Sequence, residues 1–131
     1  MPVLYTDRYE IKLLGLNPQL LYVFIDSHES KGGEPALVQL RNGDRSLPIT
    51  LRNNYSDSGY LVSNTEARDI VRIEEEMQRL NSVLRMGATV CIPTIPLNEE
   101  LSRLKKYTPK VEQYLLKRLQ IVKEAFPLQG S

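Results

Sequence analysis

The apolar stretch Leu20-Leu21-Tyr22-Val23-Phe24-Ile25 decides the fold class of this chain. A strand that is apolar at every position is typical of a sheet covered on both faces by other layers. The segment that follows, Asp26-Ser27-His28-Glu29-Ser30-Lys31-Gly32-Gly33, is polar and contains two adjacent glycines. We therefore predict a buried strand that ends in a glycine-containing loop.

A second pair of segments repeats this arrangement further along the chain. The apolar residues 88–92 predict another buried strand, and residues 93–100 predict the loop after it. In open α/β sheets, ligands bind where the loops at the carboxyl ends of the strands meet. The two loops therefore predict a small-ligand pocket, and its candidate binding residues are Asp26, Ser27, Lys31, Gly32, Gly33, Pro93, Thr94 and Asn98.

The remaining elements predict an α/β domain. Residues 47–51 predict a strand, which Pro48 assigns to a sheet edge, and residues 36–40 fit either a strand or a short helix. Apolar residues recur at helical spacing before Gly87, and Thr108-Pro109 opens a final helix. Asn98 fits the N-cap of a short helix. Because a strand–helix–strand order favours parallel crossovers, we expect a single domain over residues 1–131, a three-layer mixed sheet with helices on both faces.

Composition excludes several classes of protein. The chain has 131 residues and a formal net charge of +1, which is too balanced for a general nucleic-acid binder. The single cysteine, Cys91, lies in an apolar strand, so we expect a buried thiol and no internal disulfide. No stretch approaches the roughly 20 apolar residues of a membrane span, and we expect no secretion signal, because the first residues lack a basic region followed by an apolar core. We expect a cytoplasmic protein.

Few residues predict chemistry, and each has a structural alternative. Lys31-Gly32-Gly33 could cradle a phosphate with backbone amides or form an ordinary turn. Asp26 could accept hydrogen bonds from a nucleoside or cap its own loop. His28 fits either proton transfer or an incidental loop position. The sequence shows no metal-ligand cluster and no nucleophile–base pairing. We therefore assign no catalytic residue, no metal and no cofactor, and we lean towards a protein that is not an enzyme.

At these loops the sequence resembles a family of small phage and bacterial proteins related to macro domains. The resemblance is carried by Tyr22-Val23-Phe24-Ile25-Asp26-Ser27, by Lys31-Gly32-Gly33-Glu34-Pro35-Ala36 with Arg41, and by Val90-Cys91-Ile92-Pro93. It continues through Leu97, Leu101, Leu104, Thr108-Pro109 and Tyr114-Leu115. It implies a macro-like fold and a pocket for ADP-ribose or a related nucleotide, with adenine near the first loop and phosphates over the glycines.

The sequence departs from the family pattern in the second loop. The pattern has glycines there, whereas this chain has Asn98-Glu99-Glu100. Each lost glycine removes a close approach of the backbone to the ligand, and two carboxylates repel a pyrophosphate unless they are turned away or bind a cation. We therefore expect a non-catalytic module that binds an ADP-ribose-like molecule or a cyclic nucleotide. The resemblance also implies a phage setting, in which such a module would sequester a host defence signal in the host cytoplasm.

Two alternatives remain open. One is a protein-binding inhibitor of a host protein, which would use the basic C-terminal region: Lys105, Lys106, Lys110, Lys117 and Arg118. The other is a weak ADP-ribose hydrolase with Asp26 or His28 as its general base. A homodimer is also expected, because two-fold dimers are the commonest assembly of small soluble domains.

Overall fold

A computed structural model describes residues 3–10, 14, 19–29, 31–33, 35–43, 45–54 and 59–126. A short 3₁₀ turn at Ser63–Thr65 precedes the second helix. The strands and helices, in chain order, are β1 (Val3–Thr6), β2 (Leu20–Ser27), α1 (Pro35–Arg41), β3 (Ser46–Arg52), α2 (Glu66–Arg85), β4 (Thr89–Pro93), α3 (Thr94–Tyr107) and α4 (Pro109–Ala125). The segment that fitted either a strand or a helix is therefore helix α1.

The four strands form one sheet in the order β1-β4-β2-β3, and every neighbouring pair is parallel. The α/β class is confirmed. The described strands form a parallel sheet rather than the mixed sheet we expected, and the antiparallel component is one isolated bridge between Arg52 and Tyr60. The strands β2 and β3 are joined through α1, and β3 and β4 through α2, which is the connection that parallel strands require. Strand β3 lies at an edge, as Pro48 predicted.

Helices cover both faces of the sheet, which gives three layers. On one face, α1 packs through Ala36 and Leu40 against Phe24. On the other face, α2, α3 and α4 cover Val23 and Ile25. Because successive side chains of a strand point to opposite faces, the uninterrupted apolar run of β2 supplies both cores. The expected coverage on two faces is confirmed.

Helix α2 follows the predicted pattern, with its apolar stripe buried at Ile73, Met77, Leu80 and Leu84. It ends at a glycine in the left-handed conformation, Gly87, with φ of 90°. The amides of Gly87 and Ala88 donate to the carbonyls of Leu84 and Val83 at 3.1 and 3.0 Å. This pair of bonds is the Schellman motif, which satisfies the last carbonyls of a helix.

The second predicted loop is instead the start of a helix. Residues 94–100 form the first turns of α3, with Pro93 as the N-cap, so Asn98 lies inside the helix and is not an N-cap. Pro96 is the third helical residue, where the amide has no intrahelical partner and a proline costs no hydrogen bond. None of the helices in the described part of the chain is long and apolar enough to cross a membrane.

Candidate functional site

The carboxyl ends of β2 and β4 form a topological switch point. The two strands are neighbours, but β2 leads to α1 on one face and β4 leads to α3 on the other. Their ladder covers Leu20–Tyr22 and Thr89–Cys91. Crevices of this kind, outside the carboxyl ends of diverging strands, are where open α/β sheets bind ligands.

Tyr9 lies where the β2–β4 ladder ends. Its hydroxyl contacts the carbonyl oxygens of Val23 at 2.6 Å and Cys91 at 2.8 Å. Burial raises the pKa of Tyr9 far above its usual value, so the phenol stays protonated and donates to these carbonyls. The single hydroxyl hydrogen is shared between these two backbone oxygens, so Tyr9 links β2 to β4 beside the cleft.

A cleft of about 460 Å³ opens at this switch point. Its volume lies within the range of roughly 300–1,000 Å³ that small-molecule sites occupy. Every lining residue follows, or ends, one of the four strands. The residues are Tyr9 after β1, Gly33 and Leu37 after β2, Arg52 at the end of β3, Pro93 at the end of β4, and Pro96, Glu99, Glu100 and Arg103 of α3.

A buried carboxylate organises the polar side of the cleft. Glu100 has a side chain only 8% exposed, and its Oε1 accepts hydrogen bonds from Arg52 Nη1 at 3.1 Å and Arg103 Nη1 at 3.0 Å. At the rim, Glu99 Oε1 pairs with Arg8 Nη2 at 2.7 Å. Both carboxylates that would repel a phosphate are thus neutralised by arginines, and three guanidinium groups face two carboxylates.

The two arginines bound to Glu100 differ in how many contacts their guanidinium groups make with the rest of the protein. Arg52 also donates through Nε to the carbonyl of Asn54 at 3.1 Å, and its Cζ lies 5.0 Å from the ring centre of Tyr60. Tyr60 in turn stacks on Tyr107 with ring centres 5.0 Å apart. Arg103 makes one hydrogen bond within the described part of the chain, and its side chain is 38% exposed. Arg103 therefore has guanidinium nitrogens available to an anion in the cleft.

Asp26 and Ser27 are buried and do not line this cleft. Asp26 Oδ1 accepts from Arg41 Nε at 3.0 Å, from Arg41 Nη2 at 2.7 Å and from the amide of Ser27 at 2.8 Å. The Ser27 hydroxyl donates to the carbonyl of Lys31 at 3.4 Å. Asp26 therefore binds Arg41 of α1 and the amide of Ser27 rather than reaching this cleft.

The glycine loop, of which the structure describes residues 28–29 and 31–33, reaches the cleft with its last residue. Gly32 and Gly33 have φ of 81° and 91°, a conformation that other residues rarely adopt. Gly33 lines the cleft, while the Gly32 carbonyl accepts from Arg41 Nη1 at 3.1 Å. Lys31 is exposed beside them.

The predicted residues of the second segment separate in space. Pro93 lines the cleft, whereas the Thr94 hydroxyl donates to the carbonyl of Thr6 at 3.2 Å. Asn98 lines a different hollow of about 210 Å³, between α3 and α4. Of the eight predicted binding residues, the structure brings Gly33 and Pro93 together at one cleft.

The sequence interpretation missed the arginine–glutamate network of the cleft and a second network on α2. Arg72 and Glu76 lie on the polar face of α2, and both contact Thr50 of β3. Glu76 accepts from the Thr50 amide at 2.9 Å and from its hydroxyl at 2.8 Å, and Arg72 Nη2 donates to its carbonyl. Helix α2 therefore satisfies the backbone of an edge strand, which would otherwise be open to pairing with another chain.

The same network encloses a buried aspartate. Asp69 is fully buried and accepts from Arg72 Nη1 at 2.8 Å and from the Thr65 hydroxyl at 2.7 Å. Arg72 Nη1 also lies 2.7 Å from His28 Nε2. Burial first, and then the positive charge of Arg72, lower the pKa of His28 below its usual value of 6.5. We call Asp69, Arg72 and Glu76 the α2 network.

Comparison with known proteins places the chain in a family but adds no activity. The chain belongs to DUF7831, a family of unknown function, whose model matches residues 4–118. No curated protein and no solved structure matches it. The likeness to macro domains stays a prediction.

Proposed function

We propose that this member of DUF7831 binds a nucleotide-derived small molecule in the cleft at the switch point, without turning it over. The observation that carries the proposal is the convergence of segments from all four strand ends on one cleft of about 460 Å³. In an open α/β sheet, this is the position at which ligands bind.

The lining fits a ligand that has both a planar apolar part and an anionic part. Tyr9, Leu37 and Pro96 supply an apolar wall. Arg103 also lines the cleft and has unused donors, and guanidinium groups match the geometry of phosphate and carboxylate oxygens. A nucleotide combines these two parts, and the backbone at Gly33 allows a close approach.

Turnover is not supported by the placement of the candidate bases. A general base must come within hydrogen-bond reach of the proton that it removes, directly or through one water. Asp26 is held by Arg41, and His28 contacts the α2 network; neither lines the cleft. This arrangement disfavours the ADP-ribose hydrolase alternative. A binder that leaves its ligand intact would act by sequestration, the role that the likeness to small phage proteins implies.

The protein-binding alternative rests on the basic residues near the C-terminus. They are divided between two helices, with Lys105 and Lys106 in the last turn of α3 and Lys110 in the first turn of α4. Arg118 is paired with Glu74 of α2 at 3.4 Å. Charge reversal at Lys106 and Lys110 tests this alternative, because an inhibitor that uses this corner would lose its partner while the cleft stayed intact.

Calorimetric titration tests the proposed function. The panel is ADP-ribose, cyclic ADP-ribose isomers and cyclic dinucleotides. For the compound that binds, Arg103→Ala should weaken affinity by about tenfold or more, because a hydrogen bond to a charged group is worth roughly 1.5–3 kcal/mol. The matched control is Arg79→Ala, which removes an exposed arginine of α2 outside the cleft. A folded protein that binds none of these compounds contradicts the proposal.

A further inference from the structure

The glycine loop is fastened at its start to the strand end that supplies Arg52. The amide of His28 donates to the carbonyl of Arg52 at 2.9 Å, and the amide of Glu29 donates to the carbonyl of Asn53 at 3.3 Å. The side chain of Arg52 lines the cleft, and so does Gly33 at the other end of the loop. Displacement of His28 would therefore move residues that line the cleft at two places, Arg52 and Gly33.

One side-chain contact ties this loop to helix α2. Arg72 Nη1 lies 2.7 Å from His28 Nε2, and a guanidinium group can only donate. The imidazole must therefore accept at Nε2, which requires the neutral ring with its proton on Nδ1. Arg72 is itself held by the Asp69 carboxylate at 2.8 Å and by the Thr50 carbonyl. The loop is thus anchored to a fixed donor.

The charged groups around His28 come from α2. Asp69 Oδ1 lies 3.6 Å from His28 Nε2, and Arg68 Nη2 lies 3.7 Å from the same carboxylate oxygen. Asp69 favours the protonated ring, whereas Arg72 and Arg68 oppose it. From β3, the Arg52 backbone contacts the His28 amide, and Glu76 reaches the same strand at Thr50.

We propose that Arg72 is a positioning residue for the cleft, which holds the glycine loop in place by donating a hydrogen bond to neutral His28. A protonated imidazole has no acceptor and brings a second cation against the guanidinium. The loop then keeps its backbone bonds but loses the hydrogen bond that Arg72 donates to it. Acidification should therefore loosen the loop, and ligand affinity should fall with it. The effect on affinity rests on the proposed function, whereas the effect on the loop does not.

Nuclear magnetic resonance tests the loop coupling without any ligand, since the chain has a single histidine. The imidazole and the amides of Gly32 and Gly33 are followed from about pH 8 to about pH 5, which spans the usual titration range of histidine. We expect both amides to titrate with the midpoint of His28. In His28→Gln, whose side-chain oxygen still accepts from Arg72 but does not titrate, this response should vanish.

Arg68→Gln is the matched control, because Arg68 belongs to the same helix but makes no contact with the His28 ring within hydrogen-bond distance. It should leave the response of the loop amides in place. Loop amides that stay constant while His28 titrates, or that titrate equally in His28→Gln, overturn the proposal.

Measuring ligand affinity at several pH values separates this inference from the proposed function. A bound ligand whose affinity falls on acidification in the wild type, and falls less in His28→Gln, supports the positioning role. Equal losses in both proteins overturn it. If no compound of the panel binds but the loop amides still follow His28, the proposed function fails and the loop coupling stands.

Discussion

Arg72 and Arg103 each contact a buried carboxylate near the end of β3, yet they are used in different ways. Arg72 donates to Asp69, His28 and Thr50 at once, so both of its terminal nitrogens bind groups that hold the fold. Its buried Nε has no hydrogen-bond partner among the described residues and lies 3.9 Å from Glu76 Oε1. Arg103 serves Glu100 with one nitrogen and is more exposed, at 38% against 20% for the Arg72 side chain.

The comparison separates a structural arginine from a candidate binding arginine. The terminal nitrogens of Arg72 donate to groups of the fold, and its side chain does not line the cleft. Arg103 lines the cleft and is oriented by one hydrogen bond to Glu100 and by the Tyr60 ring, 6.0 Å from its Cζ, so it still has donors to offer a ligand. The sequence did not predict the contacts of either arginine, because those contacts depend on what its helix packs against. The difference yields predictions on stability that run from large to small.

The largest effect is expected from Asp69→Ala. Removing the carboxylate breaks the ion pair of a mostly buried arginine, a change that typically costs about 3–5 kcal/mol, and leaves Glu76 Oε1 at 3.9 Å from Arg72 Nε. Urea-induced unfolding measures the loss. Glu75→Ala is the control, because Glu75 is exposed on the same helix and should change stability by roughly 0.5 kcal/mol or less. A loss for Asp69→Ala as small as that of the control would show that the α2 network does not hold the fold.

A smaller loss is expected from Glu76→Ala. The Thr50 amide would lose its acceptor at the sheet edge, and an unsatisfied, partly buried donor costs about 1–3 kcal/mol. The paired variant Glu76→Gln keeps an acceptor oxygen and should lose less. Unfolding by urea gives both values, and size-exclusion chromatography reports self-association through the uncovered edge strand. Equal losses in the two variants would contradict the role of Glu76 as the acceptor for Thr50.

Arg103→Ala should leave the free energy of unfolding nearly unchanged. The side chain is over a third exposed, and an ion pair of that kind contributes about 0–1 kcal/mol. Glu100 keeps its bond to Arg52, so no buried charge is left alone. The same urea measurement applies. If Arg103→Ala destabilises the protein as much as Asp69→Ala, the contrast between the two arginines fails.

The smallest effect is a pH dependence carried by His28. Because burial and Arg72 lower the pKa of His28 in the folded protein, the unfolded chain binds this proton more readily. Stability should therefore fall as pH drops below the usual value of 6.5 and continue to fall towards the lowered pKa. The variant His28→Gln should show a shallower fall over the same window in urea unfolding. If the free energy of unfolding has the same slope against pH in the wild type and in His28→Gln, the contact between His28 and Arg72 is contradicted.

The elements that the sequence predicted are those with a local signal. The continuous apolar run of residues 20–25 identified a strand covered on both faces, Pro48 identified an edge, and Gly87 identified a helix end. The start of α3 was missed because Pro93 and Pro96 resemble a loop, although Leu97, Leu101 and Leu104 lie at helical spacing. A proline in the first turn of a helix is compatible with helical structure.

The candidate site was predictable only in part. Gly33 and Pro93 follow strand ends, so the rule for open α/β sheets found them. Arg52 and Glu100 meet across 48 residues of sequence, and that contact follows from the order of the strands in the sheet. The roles of Arg72 and Glu76 were missed for a similar reason, because their position on a polar helix face does not show that an edge strand lies against them.

Amide chemical shifts, recorded while each compound of the nucleotide panel is added to nitrogen-15-labelled protein, test the central claim most directly. Binding at the switch point predicts that for at least one compound the perturbed amides are those of Gly33, Leu37 and Arg103, in one cluster around the cleft. No perturbation by any compound, or perturbation centred on Lys110 and Lys117 of α4, would contradict it.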